Sequence, residues 1–71
     1  NWKFKIMFIK VLSKNNKSYI INTDYIVKMY EHEDHITIIF NNNASISLKQ
    51  NYEDFLNTLI KMGVKITDVS R

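Results

Sequence analysis

Five consecutive residues offer acid–base or metal chemistry: Glu31-His32-Glu33-Asp34-His35. They stand between two apolar runs, "IVKMY" and "ITIIF". A four-residue turn brings its ends within about 7 Å, which makes His32 and His35 the candidate metal ligands. Imidazoles beside carboxylates do bind zinc. A metal site, however, needs three or four ligands held by further hydrogen bonds, and the sequence offers no partner of that kind to a loop tip. A hairpin between two apolar strands needs a solvated turn, which explains the same five residues without an ion. No cofactor, metal or small-molecule substrate is expected.

Nucleophilic catalysis has less to work with. The chain has no cysteine, no Gly-x-Ser-x-Gly elbow and no glycine-rich phosphate loop. Glu53 and Asp54 are adjacent carboxylates, but at the start of a helix their charge suits the helix dipole. A chain of 71 residues has little room for a deep pocket. The expectation is that it is not an enzyme.

Nucleic-acid binding is the remaining chemistry. Trp2, Phe4 and Phe8 interleave with Lys3, Lys5 and Lys10, and Lys14 and Lys17 follow. A sheet that shows aromatic rings beside lysines can stack bases and neutralise phosphates. Yet a fold this small has a single Trp, and burial statistics favour these rings as core with the lysines on the outer face. Tyr19, Tyr25 and Tyr30 are expected half-buried, with wet hydroxyls. Nine lysines stand against one arginine, Arg71. Arginine is the usual bidentate reader of guanine, so this set suits a solvated surface better than base readout. The charge is also uneven: residues 1–23 carry five lysines and no acid, whereas residues 24–34 carry four acids and one lysine.

The elements that would position these residues are legible from periodicity. Trp2 to Leu12 reads as a long strand with a bulge or bend near Phe8-Ile9, because the apolar face switches there; a helix competes over the same span. Ser13 to Lys17 is a turn. Ser18 to Ile21 is a short strand, and Asn22 to Tyr25 a tight or single helical turn capped by Asn22 or Asp24. Ile26 to His32 and His35 to Phe40 are strands, the second central because both of its faces are apolar. Asn41-Asn42-Asn43 is a hairpin turn without glycine. Ala44 to Leu48 alternates as a half-buried strand. In "NYEDFLNTLIKMG" the apolar residues Tyr52, Phe55, Leu56, Leu59 and Ile60 fall on one helical stripe. Asn51 stands at the N-cap and Gly63 at the C′ position. Val64 to Val69 reads as a short last strand with Val64 and Ile66 inward. The fold class is thus α+β and β-rich: an antiparallel curved sheet or partial barrel of four to six strands, with one C-terminal helix over about residues 51–62.

Size and composition agree. The 71 residues make one small domain, 1–71, in which residues 1–6 read as an extension ahead of a start at Met7. Such a chain buries only about 60% of its unfolded surface, and no cysteine is present to staple it. Apolar residues make up 45%, with eleven isoleucines, which excludes a disordered chain. No run of eighteen apolar residues marks a membrane span. "NWKFKIMFIKVL" has the basic, apolar character of a signal peptide, but Lys10 interrupts it and no small-residue cleavage site follows. A core this apolar with little polar cover favours self-association.

Two resemblances centre on "YIINTDYI". Met7 to Lys61 resembles the small flagellar and swarming-motility proteins of the FlbD/SwrD type. The shared pieces are "MFIKV", "YIINTDYIVKMYE", "HITIIF" and "YEDFLNTLI", although Asn41-Asn42-Asn43 replaces an Asn-Gly-like turn. That resemblance implies a cytoplasmic, non-enzymatic accessory protein acting through protein contacts. "NKSYIINTDYI" and "ISLKQNYEDFLNTL" are similar to the C-terminal half of LytTR-type DNA-binding domains. There Asn16, Lys17 and Ser18 would match one basic contact segment and Lys49 and Gln50 the other, without the family's arginines.

The expected function is a non-enzymatic accessory domain acting through protein–protein contacts, self-association included. Its contact surfaces would be the polar face of the helix and any unpaired edge strand. The alternative is a nucleic-acid-binding domain, LytTR-like or a single-strand-binding sheet, that uses Lys3, Lys5, Lys10, Lys14, Lys17 and Lys49.

Overall fold

The computed structural model describes residues 7–69. Five strands and one helix follow one another: β1 (Phe8–Leu12), β2 (Ser18–Asn22), a 3₁₀ turn (Thr23–Tyr25), β3 (Ile26–Glu31), β4 (Ile36–Phe40), β5 (Ser45–Leu48) and α1 (Tyr52–Lys61). The β-rich α+β class holds. β1 and β2 form a two-stranded antiparallel sheet, and β3, β4 and β5 a three-stranded one with β4 in the middle. The long-strand reading of residues 2–12 falls partly outside the described residues; within them, the strand starts at Phe8.

Local chemistry explains the turns. Asn16 and Asn43 have φ of 71° and 69°. Asparagine is among the few residues other than glycine that enter this region routinely. The Asn42 Oδ1 accepts the Ala44 N–H at 3.0 Å, tightening the β4–β5 hairpin. The Asn22 Oδ1 accepts the Asp24 N–H at 2.9 Å, which caps the 3₁₀ turn. In the first turn, the buried Ser13 hydroxyl donates to Asn15 Oδ1 and accepts the Lys17 N–H at 3.0 Å.

One joint links the two sheets. Ser13 and Leu48 form an antiparallel bridge. The Lys14 N–H donates to the Ser47 carbonyl at 2.7 Å, and the Lys49 N–H to the Leu12 carbonyl at 3.2 Å. The core fills the angle between the sheets. Val11 and Ile21 come from the first sheet, Ile36, Ile38 and Leu48 from the second, and Phe55 and Leu59 from α1. Ile36 and Ile38 are fully buried, as expected of a central strand.

The ends of α1 follow its caps. The Asn51 Oδ1 accepts the Asp54 N–H at 3.1 Å, and Glu53 and Asp54 occupy the first turn, where the helix dipole favours negative charge. Asn51→Ala is expected to cost about 1 kcal/mol, which thermal unfolding would register as a fall of about 4–8 °C in Tm for a domain of this size. At the other end the Gly63 N–H reaches the Ile60 carbonyl at 3.0 Å and the Val64 N–H the Leu59 carbonyl at 3.1 Å. With Gly63 at φ 99°, this is a Schellman cap. Ile60, expected in the buried stripe, lies at its margin and is 49% exposed.

The expected last strand over residues 64–69 is not formed. A strand requires a ladder of backbone hydrogen bonds with a neighbour, and among the described residues, 64–69 take part in none. Val64 and Ile66 stay exposed instead of facing inward. Among the described residues, no helix is long and apolar enough to cross a membrane.

Candidate functional site

The charged turn between β3 and β4 is held by its own side chains. The His32 N–H donates to the His35 carbonyl at 3.0 Å. The two imidazoles stack with centroids 4.3 Å apart and planes 13° from parallel. His32 Nε2 bonds to Thr37 Oγ1 at 3.0 Å and His35 Nδ1 to Asp34 Oδ1 at 2.6 Å. The hydrogen bond from His35, followed by the field of Lys14, holds the Asp34 carboxyl below its ordinary value. Ring nitrogens hold their lone pairs in the ring plane. Two nearly parallel rings therefore aim them side by side, not at one point about 2.0–2.1 Å from both. Among the described residues no group of three or more His, Cys, Asp or Glu is placed to hold an ion. His32 and His35 are thus brought together as a stack, not as a ligand pair.

The lysines divide. Lys3 and Lys5, with Trp2 and Phe4, lie outside the described residues. Lys10, Lys14, Lys17 and Lys49 are all exposed. The Ser13–Leu48 joint brings the first turn beside the end of β5, where Lys49 Nζ donates to Asn16 Oδ1 at 2.7 Å. Phe8 is not core: Ile9 and Val11 take the inward face of β1, which leaves Phe8 60% exposed on the outer face. Tyr19, Tyr25 and Tyr30 are about half exposed, as their amphipathic rings suggest.

The most unusual surface is the edge of β2. Among the described residues β2 pairs with β1 alone, in the register Lys10↔Ile20 and Val11↔Tyr19. Its residues, Ser18-Tyr19-Ile20-Ile21-Asn22, carry no charge and no bulge. Ile20 is 70% exposed. Among the other strands with a single ladder partner, β1 and β5 meet at the Ser13–Leu48 bridge, and β3 shows the usual protection of an edge. It has a register break between Ile26 and Lys28, and Lys28 Nζ lies 5.5 Å from the centre of the Tyr30 ring.

Two open clefts flank β2. The larger, about 530 Å³, lies between Tyr19, the Ser13–Asn15 segment and β5 residues Ser45, Ile46 and Ser47. The smaller, about 180 Å³, lies between Ile21, Asn22 and Tyr25 on one side and Phe40 to Ala44 on the other. The Ser47 carbonyl faces Lys14, away from β4. At a strand period of two, the backbone groups of Ser45 face the same way, towards the larger cleft. Periodicity signalled the strands but not this surface. The local cue was an uncharged strand placed between Lys17 and Asp24.

Compared with protein-family models, with curated proteins and with solved structures, the chain matches none.

Proposed function

We propose that this chain is a non-enzymatic accessory domain that acts through protein–protein contact, receiving an extended polypeptide segment along β2 and the clefts beside it. One observation carries the reading: an unprotected, uncharged strand edge with Ile20 exposed at its centre. Exposed edges of this type present a row of backbone donors and acceptors to any compatible strand. In strand addition those groups supply affinity, and pockets for alternate side chains supply selectivity. Tyr19 and Ile21, two residues apart, each line one cleft, which suits an incoming strand whose alternate residues are apolar. The FlbD/SwrD-type resemblance implies the same class of role, a cytoplasmic accessory protein.

Panning a random peptide library against the immobilised protein tests the proposal. The enriched peptides are expected to alternate β-branched or aromatic residues with polar ones, and to lose binding to Ile20→Lys. Ile20 is exposed, so this variant keeps the fold. No enrichment, combined with capture of an oligonucleotide at low salt, would sink the reading.

A second reading has its own observation. The contact between Lys49 and Asn16 gathers both segments of the LytTR-like resemblance at one end of the molecule, with Lys14 and Lys17 nearby. Such a surface would bind nucleic acid through phosphate neutralisation. Its affinity would fall steeply with salt, whereas an apolar protein contact holds or strengthens.

A further inference from the structure

We propose that the strand received along β2 is β2 of a second copy, so that the chain forms a two-fold dimer through antiparallel β2–β2 pairing. This rests on the strand-addition reading above and names the partner for that edge.

The sequence of β2 is self-complementary. In the register that pairs all five of its residues, Ile20 lies opposite Ile20 of the second copy. Tyr19 then faces Ile21, and Ser18 faces Asn22, a hydroxyl opposite an amide. No like charges meet within the strand, because it has none. Like charges directly opposite each other would oppose pairing, and apolar pairs favour it. The charges stand just beyond the ends. Lys17 precedes β2 and Asp24 follows it. Antiparallel pairing sets Lys17 of each copy opposite Thr23 of the other, next to Asp24, so each end of the paired strands carries one charge of each sign. The arrangement is isologous and closes on itself, the commonest form of soluble oligomer. It also covers an edge that has neither charge nor bulge, while β3 keeps its bulge and its lysine.

The absence of cysteine makes the test direct. Opposed residues in an antiparallel pair have Cβ atoms about 4.5–5.5 Å apart, close to what a disulfide spans. Ile20→Cys on the two-fold axis is expected to oxidise to a covalent dimer at least about tenfold faster than Val27→Cys. Val27 is the matched control, 60% exposed against 70% for Ile20, but it lies on the protected edge. In parallel, the light-scattering mass of the unmodified chain is expected to rise to twice the monomer value with concentration, in low and in high salt. Ile20→Lys, which opposes two ammonium groups on the axis, is expected to stay monomeric. Equal oxidation rates, with peptide binding retained, would overturn the self-pairing and leave the wider reading standing. Equal rates without peptide binding would overturn both.

Discussion

Phe55→Ala is expected to lower the midpoint of thermal unfolding by about 12–40 °C. Phe55 is the largest fully buried side chain and projects from α1 into the angle between the two sheets. Truncating a buried phenylalanine costs about 3–5 kcal/mol, the lost transfer energy plus the cavity left behind. At about 0.05–0.15 kcal/mol per residue, a domain of 71 residues has roughly 4–10 kcal/mol in all. The substitution removes from about a third to all of it. Five of the six buried aliphatic side chains among the described residues, all but Leu59, come from hydrogen-bonded strands, so the site has little freedom to collapse. Thermal denaturation followed by circular dichroism checks this: a transition displaced by tens of degrees is expected. A sharp transition shifted by only a few degrees would mean that the helix is not anchored through Phe55.

Leu48→Ala is the second large effect, for a different reason. Leu48 is fully buried, pairs with Ile36 across the β4–β5 ladder and bridges Ser13 of the other sheet. Its truncation is expected to cost about 2–5 kcal/mol. The loss should fall on the joint between the sheets as well as on the core. Leu48→Met, which conserves volume, is expected to cost less than about 1.5 kcal/mol. Urea unfolding of both variants separates the cases, since the midpoint should fall steeply for alanine and slightly for methionine. Equal falls would show that volume at this position does not matter, contrary to its full burial.

The parts of the fold set by near neighbours in the chain were readable from the sequence. α1 was marked by a stripe, a cap at both ends and the only glycine. β4 was marked by apolar residues on both faces, and the asparagine turns by residues that accept positive φ. What could not be read depended on distant parts of the chain. Nothing local in "VKITDV" decides whether it will join a ladder, so its alternation suggested a strand that does not form. Phe8 has the composition of core, but Ile9 and Val11 claim the inward face, and period two turns Phe8 outward. The pairing of Ser13 with Leu48 and the meeting of Lys49 with Asn16 join residues far apart in sequence. Only the closed fold shows them. The charged turn was readable as a wet loop, but the stacking of its two histidines was not.

The same joint sets an order of events during folding. The ladders β1–β2, β3–β4 and β4–β5 link segments adjacent in the chain, and such hairpins form in about 1–10 μs. The bridge between Ser13 and Leu48 instead closes a long loop, whose entropy must be spent before any contact rewards it. Pairing within each sheet is therefore expected to precede the bridge and the core that fills in between the two sheets. A chain released from the ribosome cannot complete that step until Leu48 and α1 have both emerged, so its β2 edge is exposed to neighbouring nascent chains before its interior exists.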